Sequence, residues 1–425
     1  MKAIFSFVFL FISFLLSAQT AQKTYLIKAG KFYDSEKSVF LKDQEILVVG
    51  NKIEKVGTKL VAPAGAEIIN LPNGTVTPGL IDAHTHVLTI QKMQDPFELD
   101  LLMNSDIERT LRGAGICKAF LEAGFTTIRD LGNSGQFLDL NMKRAIKKGW
   151  IDGPRMIISG PILSPEDGQY FNLSSHNRHV IELEYRVIKN KEDARQAVKD
   201  HISKGADVIK VVMGDGRITL PVDEVKMIVE TAHSFGIKVT AHATYDAVIS
   251  KALDAGVDGI EHGYGISDSL LDRMAKQNVY LVPTIGDYDG YTRIFKENDK
   301  PMTPEDLKGL KEFVESSEAI VKKAIDKGVM VVNGSDMYLF NKTSQGDAAK
   351  NTLDTYFGAT KNPAAVLKTA TKNAAIACGV DEFTGVLKEK MTADIVVFDG
   401  DLEKDFIKTL YKVKLVMKEG KIYVR

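Results

Sequence analysis

The 425-residue chain has only two cysteines. That is too few for a disulfide-stapled scaffold, although an oxidising compartment would permit one bridge between Cys117 and Cys378. Both lie in apolar stretches with helical spacing, so buried free thiols are expected. Charge of either sign is not in excess. The 55 basic and 56 acidic residues leave a formal net charge of −1, with no long basic block and hence no electrostatic footprint for nucleic acid or an anionic membrane. Low-complexity segments and short-period repeats are missing too. What remains, 44% hydrophobic and 26% charged residues, is the composition of an ordinary globular protein with a large core.

The one conspicuous apolar run is at the N-terminus. Lys2 is followed by an apolar stretch from Ile4 to Leu16 and then by Ser17 and Ala18, the pattern of a secretory signal peptide cut after Ala18. The run is short for a membrane span and is interrupted by Ser6 and Ser13. No cysteine follows it, so a lipid-attached form is not indicated. The mature protein is expected to be exported, periplasmic or secreted, with no membrane attachment after cleavage. A homo-oligomer is left open by the sequence.

Residues 19–74 alternate apolar and polar positions, with a hairpin expected to turn at Gly50-Asn51. Residues 390–425 echo them in "VKLVMKEGKIYVR", with a turn at Glu419-Gly420. Two similar ends predict one small β-sandwich domain assembled from both termini. The intervening residues 75–389 repeat strand and helix. Eight mostly apolar strands ending in "DAHTH", "FTTIRDLG", "RMIISG", "DVIKVVM", "KVTAHA", "GIEHG", "YLVPT" and "VMVVNGSD" predict an α/β fold, a (β/α)8 TIM barrel with parallel strands buried on both faces.

Polar residues at the C-terminal ends of such strands read as a site. His84 and His86 are two apart on a strand, so both point to one face and can grip one metal ion. His242, His262 and Asp336 occupy equivalent strand ends. Each alone has a bland explanation, as a core histidine or a helix cap. Together, in one barrel, they point to a metal centre. Lys210, in "DVIKVVM", places an amine in an apolar strand, where an unpaired charge would be costly. A buried lysine becomes nucleophilic and can add carbon dioxide, giving a carbamate able to bridge two cations. An ion pair with an acid is the plain alternative.

These motifs, with "EYRVI" and "TADIVVFDGDLEKD", resemble the amidohydrolase superfamily, and within it the binuclear-metal branch of Xaa-Pro and related dipeptidases, close to imidazolonepropionase-like proteins. The resemblance implies that His84 and His86 hold a first divalent ion with Asp336. It implies that His242 and His262 hold a second, and that N6-carboxylated Lys210 bridges both. Zinc suits the imidazoles, while manganese or iron suits mixed nitrogen and oxygen ligands. Asp336 would then move a proton from the attacking water to the leaving nitrogen. The expected activity is metal-dependent hydrolysis of amide bonds in small peptides or N-acyl amino acids. The alternatives are hydrolysis of a cyclic, imidazolone-like amide, against which Lys210 argues, and a catalytically silent binding protein, against which the complete ligand set argues.

The chain departs from the dipeptidase pattern where Gln169 and Gln345 stand in place of histidines, which removes two cationic partners for a substrate carboxylate. Both are expected to contact substrate, with Arg178 or Arg217 as the alternative anchor. Tyr245, in "HATYD", is a candidate donor to a developing oxyanion. His176 and His179, in a long loop, are candidates for lining the pocket. His201 and His233 lie on helices and read as packing or surface residues.

Overall fold

The computed structural model describes residues 22–170, 173–214 and 218–425. The signal peptide expected at residues 1–18 lies outside these. The protein is α/β, with one mixed sheet built from both ends of the chain and a run of parallel strands alternating with helices between them.

In the terminal sheet, the strand Thr24–Asp34 pairs antiparallel with Val39–Lys42 and Glu45–Val49, and parallel with Glu67–Pro78. Glu67–Pro78 in turn pairs antiparallel with Ile395–Asp399, which is followed by Val413–Lys418 and Lys421–Val424. The sandwich expected from the sequence is here one eight-stranded sheet, seven strands along a continuous path with Val39–Lys42 branching from Thr24–Asp34. Ile46 and Ile53 at one end of it share a core with Leu415 and Met417 at the other. The sheet therefore curls until its two ends meet. Backbone bonds from Ile53 N–H to Met391 O and from Ala393 N–H to Asn51 O close the curl. The strand Glu67–Pro78 runs across position 75 and hands over directly to Leu80–Thr85.

The parallel strands are apolar and buried because helices cover them. Leu80–Thr85, Phe125–Asp130 and Arg155–Ile158 form one sheet. Val208–Val212, Lys238–Ala243, Gly259–His262 and Tyr280–Val282 belong to a second, with Ile162–Ser164 and Tyr185–Val187 added at its edge. The third strand of the sequence reading is thus interrupted at Ser159–Pro161, because Pro161 has no N–H to continue the ladder, and resumes at Ile162. The eighth strand is reduced to the bridge Leu281–Val331. Its backbone still spans two neighbours: Leu281 N–H donates to Met330 O at 3.0 Å, Val332 N–H to Leu281 O at 2.9 Å, and Ala83 N–H to Asn333 O at 2.9 Å. Between the two sheets, Asp207 N–H donates to Ile158 O at 2.8 Å.

The helices follow their sequence signals. Lys191–Lys204 starts at Asn190, whose side chain accepts from Asp193 N–H, and stops at Gly205 in the left-handed conformation. Cys117 and Cys378 are free and buried, as expected. His201 is buried on its helix and His233 exposed on the next. No helix among the described residues is long and apolar enough to cross a membrane.

The two hairpin turns that resemble each other in sequence lie against each other. Gly420 has φ +75°, and a Cβ there would stand 1.9 Å from the Gly50 carbonyl oxygen. Gly420→Ala would combine a left-handed backbone penalty with overpacking, so a loss of about 2–4 kcal/mol is expected in urea unfolding, with the m-value unchanged.

Candidate metal centre

His84 and His86 leave the strand Leu80–Thr85 on the same side, and their Nε2 atoms are 3.3 Å apart. Asp336 Oδ1 lies 3.1 Å from His86 Nε2 and 3.6 Å from His84 Nε2. The outer nitrogens are already committed. His84 Nδ1 faces Glu261 Oε2 at 2.7 Å, and His86 Nδ1 faces the Gly132 carbonyl at 2.8 Å. Both oxygens can only accept, so Nδ1 carries the proton in each ring and the two Nε2 lone pairs converge with a carboxylate oxygen. Three acceptors aimed at one point require a cation or a proton between them. His84, His262 and Asp336 also bring ligand atoms within 4.8 Å of one another, so the donor set fits a divalent ion bound by imidazole and carboxylate.

Lys210, 3% exposed, lies in register with Thr240, two residues before His242. Lys210, Thr240 and His242 therefore share one face of adjacent strands. Glu261 is opposite His242, and His262 opposite Ala243, so regular alternation would turn His262 away. It does not, because His262 adopts φ +75° where the strand ends. Its ring comes to 4.5 Å from that of His242 and 5.1 Å from that of His84, centroid to centroid. Thr284 and Asp336 also have positive φ, +55° and +52°. This conformation is costly for a β-branched residue and is held only where surroundings impose it. Thr284 Oγ1 meets His262 Nδ1 at 2.8 Å, and Tyr264 OH lies within 3.2 Å of both.

The electrostatics favour neutral His84 and His262 around a held anion, and draw His86 toward its charged form. Burial, reinforced by Lys210, pushes His84 down to about 4. Burial and His242 push His262 well below the ordinary range. Burial also opposes a charged His86, but the Asp336 carboxylate outweighs it and the pKa rises. Asp336 itself is held low, since His84, His86 and Lys210 overcome its burial.

Beneath these groups is a network that the motifs did not reveal. Glu261 is fully buried and would be raised by that burial, yet Arg129, His84 and Lys210 bring it down to about 2. Its Oε1 accepts from Arg129 Nη2 at 2.8 Å and from Thr240 Oγ1, while Oε2 takes the His84 Nδ1 proton. Arg129 also donates to Ala83 O and to Tyr280 OH. An acid inside the apolar strand "GIEHG" was a signal of the same kind as Lys210.

Of the sequence candidates, His84, His86, Lys210, His242, His262, Asp336 and Gln169 line one cavity of about 300 Å³. Four do not. Tyr245 precedes the helix Asp246–Ala255 and is 41% exposed, so it points to solvent. The phenols that line the cavity are Tyr264 and Tyr338. Gln345 is buried at the start of a short helix and spends its amide internally, accepting from Asn341 Nδ2 and donating to Leu339 O. His176 and His179 lie exposed on the 3₁₀ turn Ser175–Val180, which turns Val180 inward instead. Arg178 is exposed and ion-paired with Asp167, and Arg217 is outside the described residues. Gln91 and Phe97 also line the cavity. They come from an irregular segment with no periodicity to announce them.

Glu261→Gln keeps the shape but removes the charge that Arg129 and His84 face. A buried ion pair broken on one side costs about 3–5 kcal/mol, and loss of a carboxylate behind a ligating imidazole lowers metal affinity by about 10–100-fold. Thermal unfolding with and without chelator, and competition for zinc against a chromophoric chelator, measure the two effects separately.

The profile of the Amidohydrolase family matches residues 75–423. The ochratoxinase of Aspergillus niger is 27% identical over 380 residues, covering 81% of this chain and 75% of that protein. A prolidase solved in complex with N-methylphosphonate-L-proline superposes with a TM-score of 0.81 at 26% identity, over 95% of this chain and all of the other. A prolidase structure from Bifidobacterium longum gives 0.76 at 25% identity, over 95% of each chain. The profile match takes in every ligand candidate described above, and the chain belongs to the amidohydrolase family, as an enzyme acting on carbon–nitrogen bonds.

Proposed function

We propose that the protein hydrolyses an amide bond in a small peptide or N-acyl amino acid with two divalent ions, zinc by preference, in the cavity lined by His84 and Asp336. The observation that carries this is the convergence of the two imidazole Nε2 atoms and the Asp336 carboxylate on one point, with His242, His262 and Lys210 lining the same cavity. His84, His86 and Asp336 would hold one ion, His242 and His262 the other, with Lys210 as its carbamate between them. When bound, such ions supply Lewis acidity and lower the pKa of water. Asp336, held ionised by the His84 and His86 imidazoles, accepts the proton of the attacking water and delivers it to the leaving nitrogen. Tyr264, anchored to His262 and Thr284, fixes the orientation of the His262 ring.

The names of the relatives support the bond type: a prolidase and an ochratoxinase are among them. For the architecture, we infer a closed (β/α)8 barrel over about residues 75–389, with the terminal segments 19–74 and 390–425 as one β domain. The bonds from Ala83 to Asn333 and from Asp207 to Ile158 support closure. Export with cleavage after Ala18 belongs to the same proposal and is tested by N-terminal sequencing of the protein recovered outside the cytoplasm.

Protein prepared with zinc and bicarbonate is expected to hold about two ions per chain by elemental analysis. Lys210→Arg, whose guanidinium cannot form a carbamate, should lose the activity. Asp336→Asn should lower kcat by about 10²–10⁴. One ion per chain in a fully active preparation, or full activity in Lys210→Arg, would overturn the binuclear assignment.

A further inference from the structure

Two amide side chains in the cavity wall are each tied down at one end. Gln91 donates its Nε2 to the Asp95 carbonyl at 2.9 Å, which fixes which end is nitrogen, because a carbonyl cannot donate. Its Oε1 makes no hydrogen bond among the described residues and remains as an acceptor. Gln169 is held the other way. Asn133 Nδ2 donates to Tyr185 OH at 3.2 Å, and that hydroxyl donates to Gln169 Oε1 at 3.2 Å. The Gln169 Nε2 makes no hydrogen bond among the described residues and remains as a donor. Both residues line the cavity beside the ligand cluster. The wall thus presents one anchored acceptor and one anchored donor.

Charge in the wall points the same way. Lys210 is the only lysine or arginine among the described lining residues, and it faces the histidine cluster. Arg178, on the loop that carries Gln169, is exposed and occupied by Asp167. Apolar surface is supplied by Phe97 and Tyr338, edge to face at 5.5 Å between centroids.

The geometry points to a substrate whose leaving portion is an uncharged carboxamide carrying an apolar or aromatic side chain, an amidated amino acid rather than a free one. This rests on the hydrolase reading above. A carboxamide offers an oxygen to Gln169 Nε2 and an N–H to Gln91 Oε1. A carboxylate offers only acceptors: it finds one donor, meets the partial negative charge of the Gln91 carbonyl oxygen, and loses its water with no lysine or arginine beyond Lys210 among the described lining residues to replace it.

The test compares N-acetyl-L-phenylalaninamide with N-acetyl-L-phenylalanine. Binding is measured by calorimetry on the metal-loaded full chain carrying Asp336→Asn to suppress turnover. The amide is expected to bind about tenfold tighter, as one well-placed hydrogen bond allows. Adding Gln169→Lys should reverse the order by giving the acid a cation, and adding Gln91→Ala should narrow the gap by removing the opposing oxygen. Equal or tighter binding of the free acid by the parent overturns the inference. So does a gap that neither substitution moves. Turnover by the metal-loaded wild type is scored separately as kcat/KM for the two compounds. Hydrolysis of neither, with both ions present, counts against the hydrolase reading and leaves the calorimetric order to decide the recognition of the amide.

Discussion

Glu261 is the constraint on which the site rests. A carboxylate with no solvent exposure is tolerated because Arg129 neutralises it and because Thr240 and His84 saturate its oxygens. Those bonds also do geometric work. Arg129 reaches from the second parallel strand to Ala83 on the first and to Tyr280 on the seventh, so one guanidinium ties three strands around one anion. His84 is thereby held in a single tautomer with its free nitrogen directed into the cavity. The acid that stabilises the interior thus also orients the first ligand.

Around this floor the cavity wall carries two kinds of group. Next to it are imidazoles and Asp336, a composition suited to divalent ions. The rest of the wall includes amides and aromatic rings: Gln91, Gln169, Phe97 and Tyr338. These have no net charge, and their polar ends are fixed by the backbone and by Tyr185. A site of this kind keeps its charge at the reacting centre and selects the rest of its substrate by neutral hydrogen bonding and apolar contact. The irregular chain over residues 86–98 supplies two of these four groups, as expected where loops on a rigid sheet set specificity.

Conformational strain is concentrated at the same place. His262, Thr284 and Asp336 each end a segment in the left-handed region. At His262 the strain reverses strand alternation and brings Glu261 and His262, neighbours in sequence, to serve one centre from successive positions. Glu261 acts from below the ligands and His262 within them. Cooperation between consecutive residues of a strand is unavailable to a regular pleat.

By itself the sequence determined the α/β class, the terminal hairpins and their turns, and the ligand candidates at the strand ends. These follow from periodicity, turn chemistry and the cost of placing His, Lys and Asp in apolar strands, all of which are local. Gln169 was legible only through the resemblance to the dipeptidase pattern, which has a histidine at that loop position. Tyr245 and Gln345 were not. Whether a side chain after a strand end faces the cavity or solvent depends on where the following helix begins, and a buried amide serves substrate only if no neighbour such as Asn341 claims it. Only the tertiary structure decided those two, the exposure of His176 and His179, the interruption of the third strand at Pro161, and the curl that joins the two halves of the terminal sheet. It alone also assembled the Glu261 network. Glu261, Arg129, Thr240 and His84 are up to 177 residues apart, and no spacing rule connects groups whose relation is that burial leaves the Glu261 carboxylate to be satisfied by the other three.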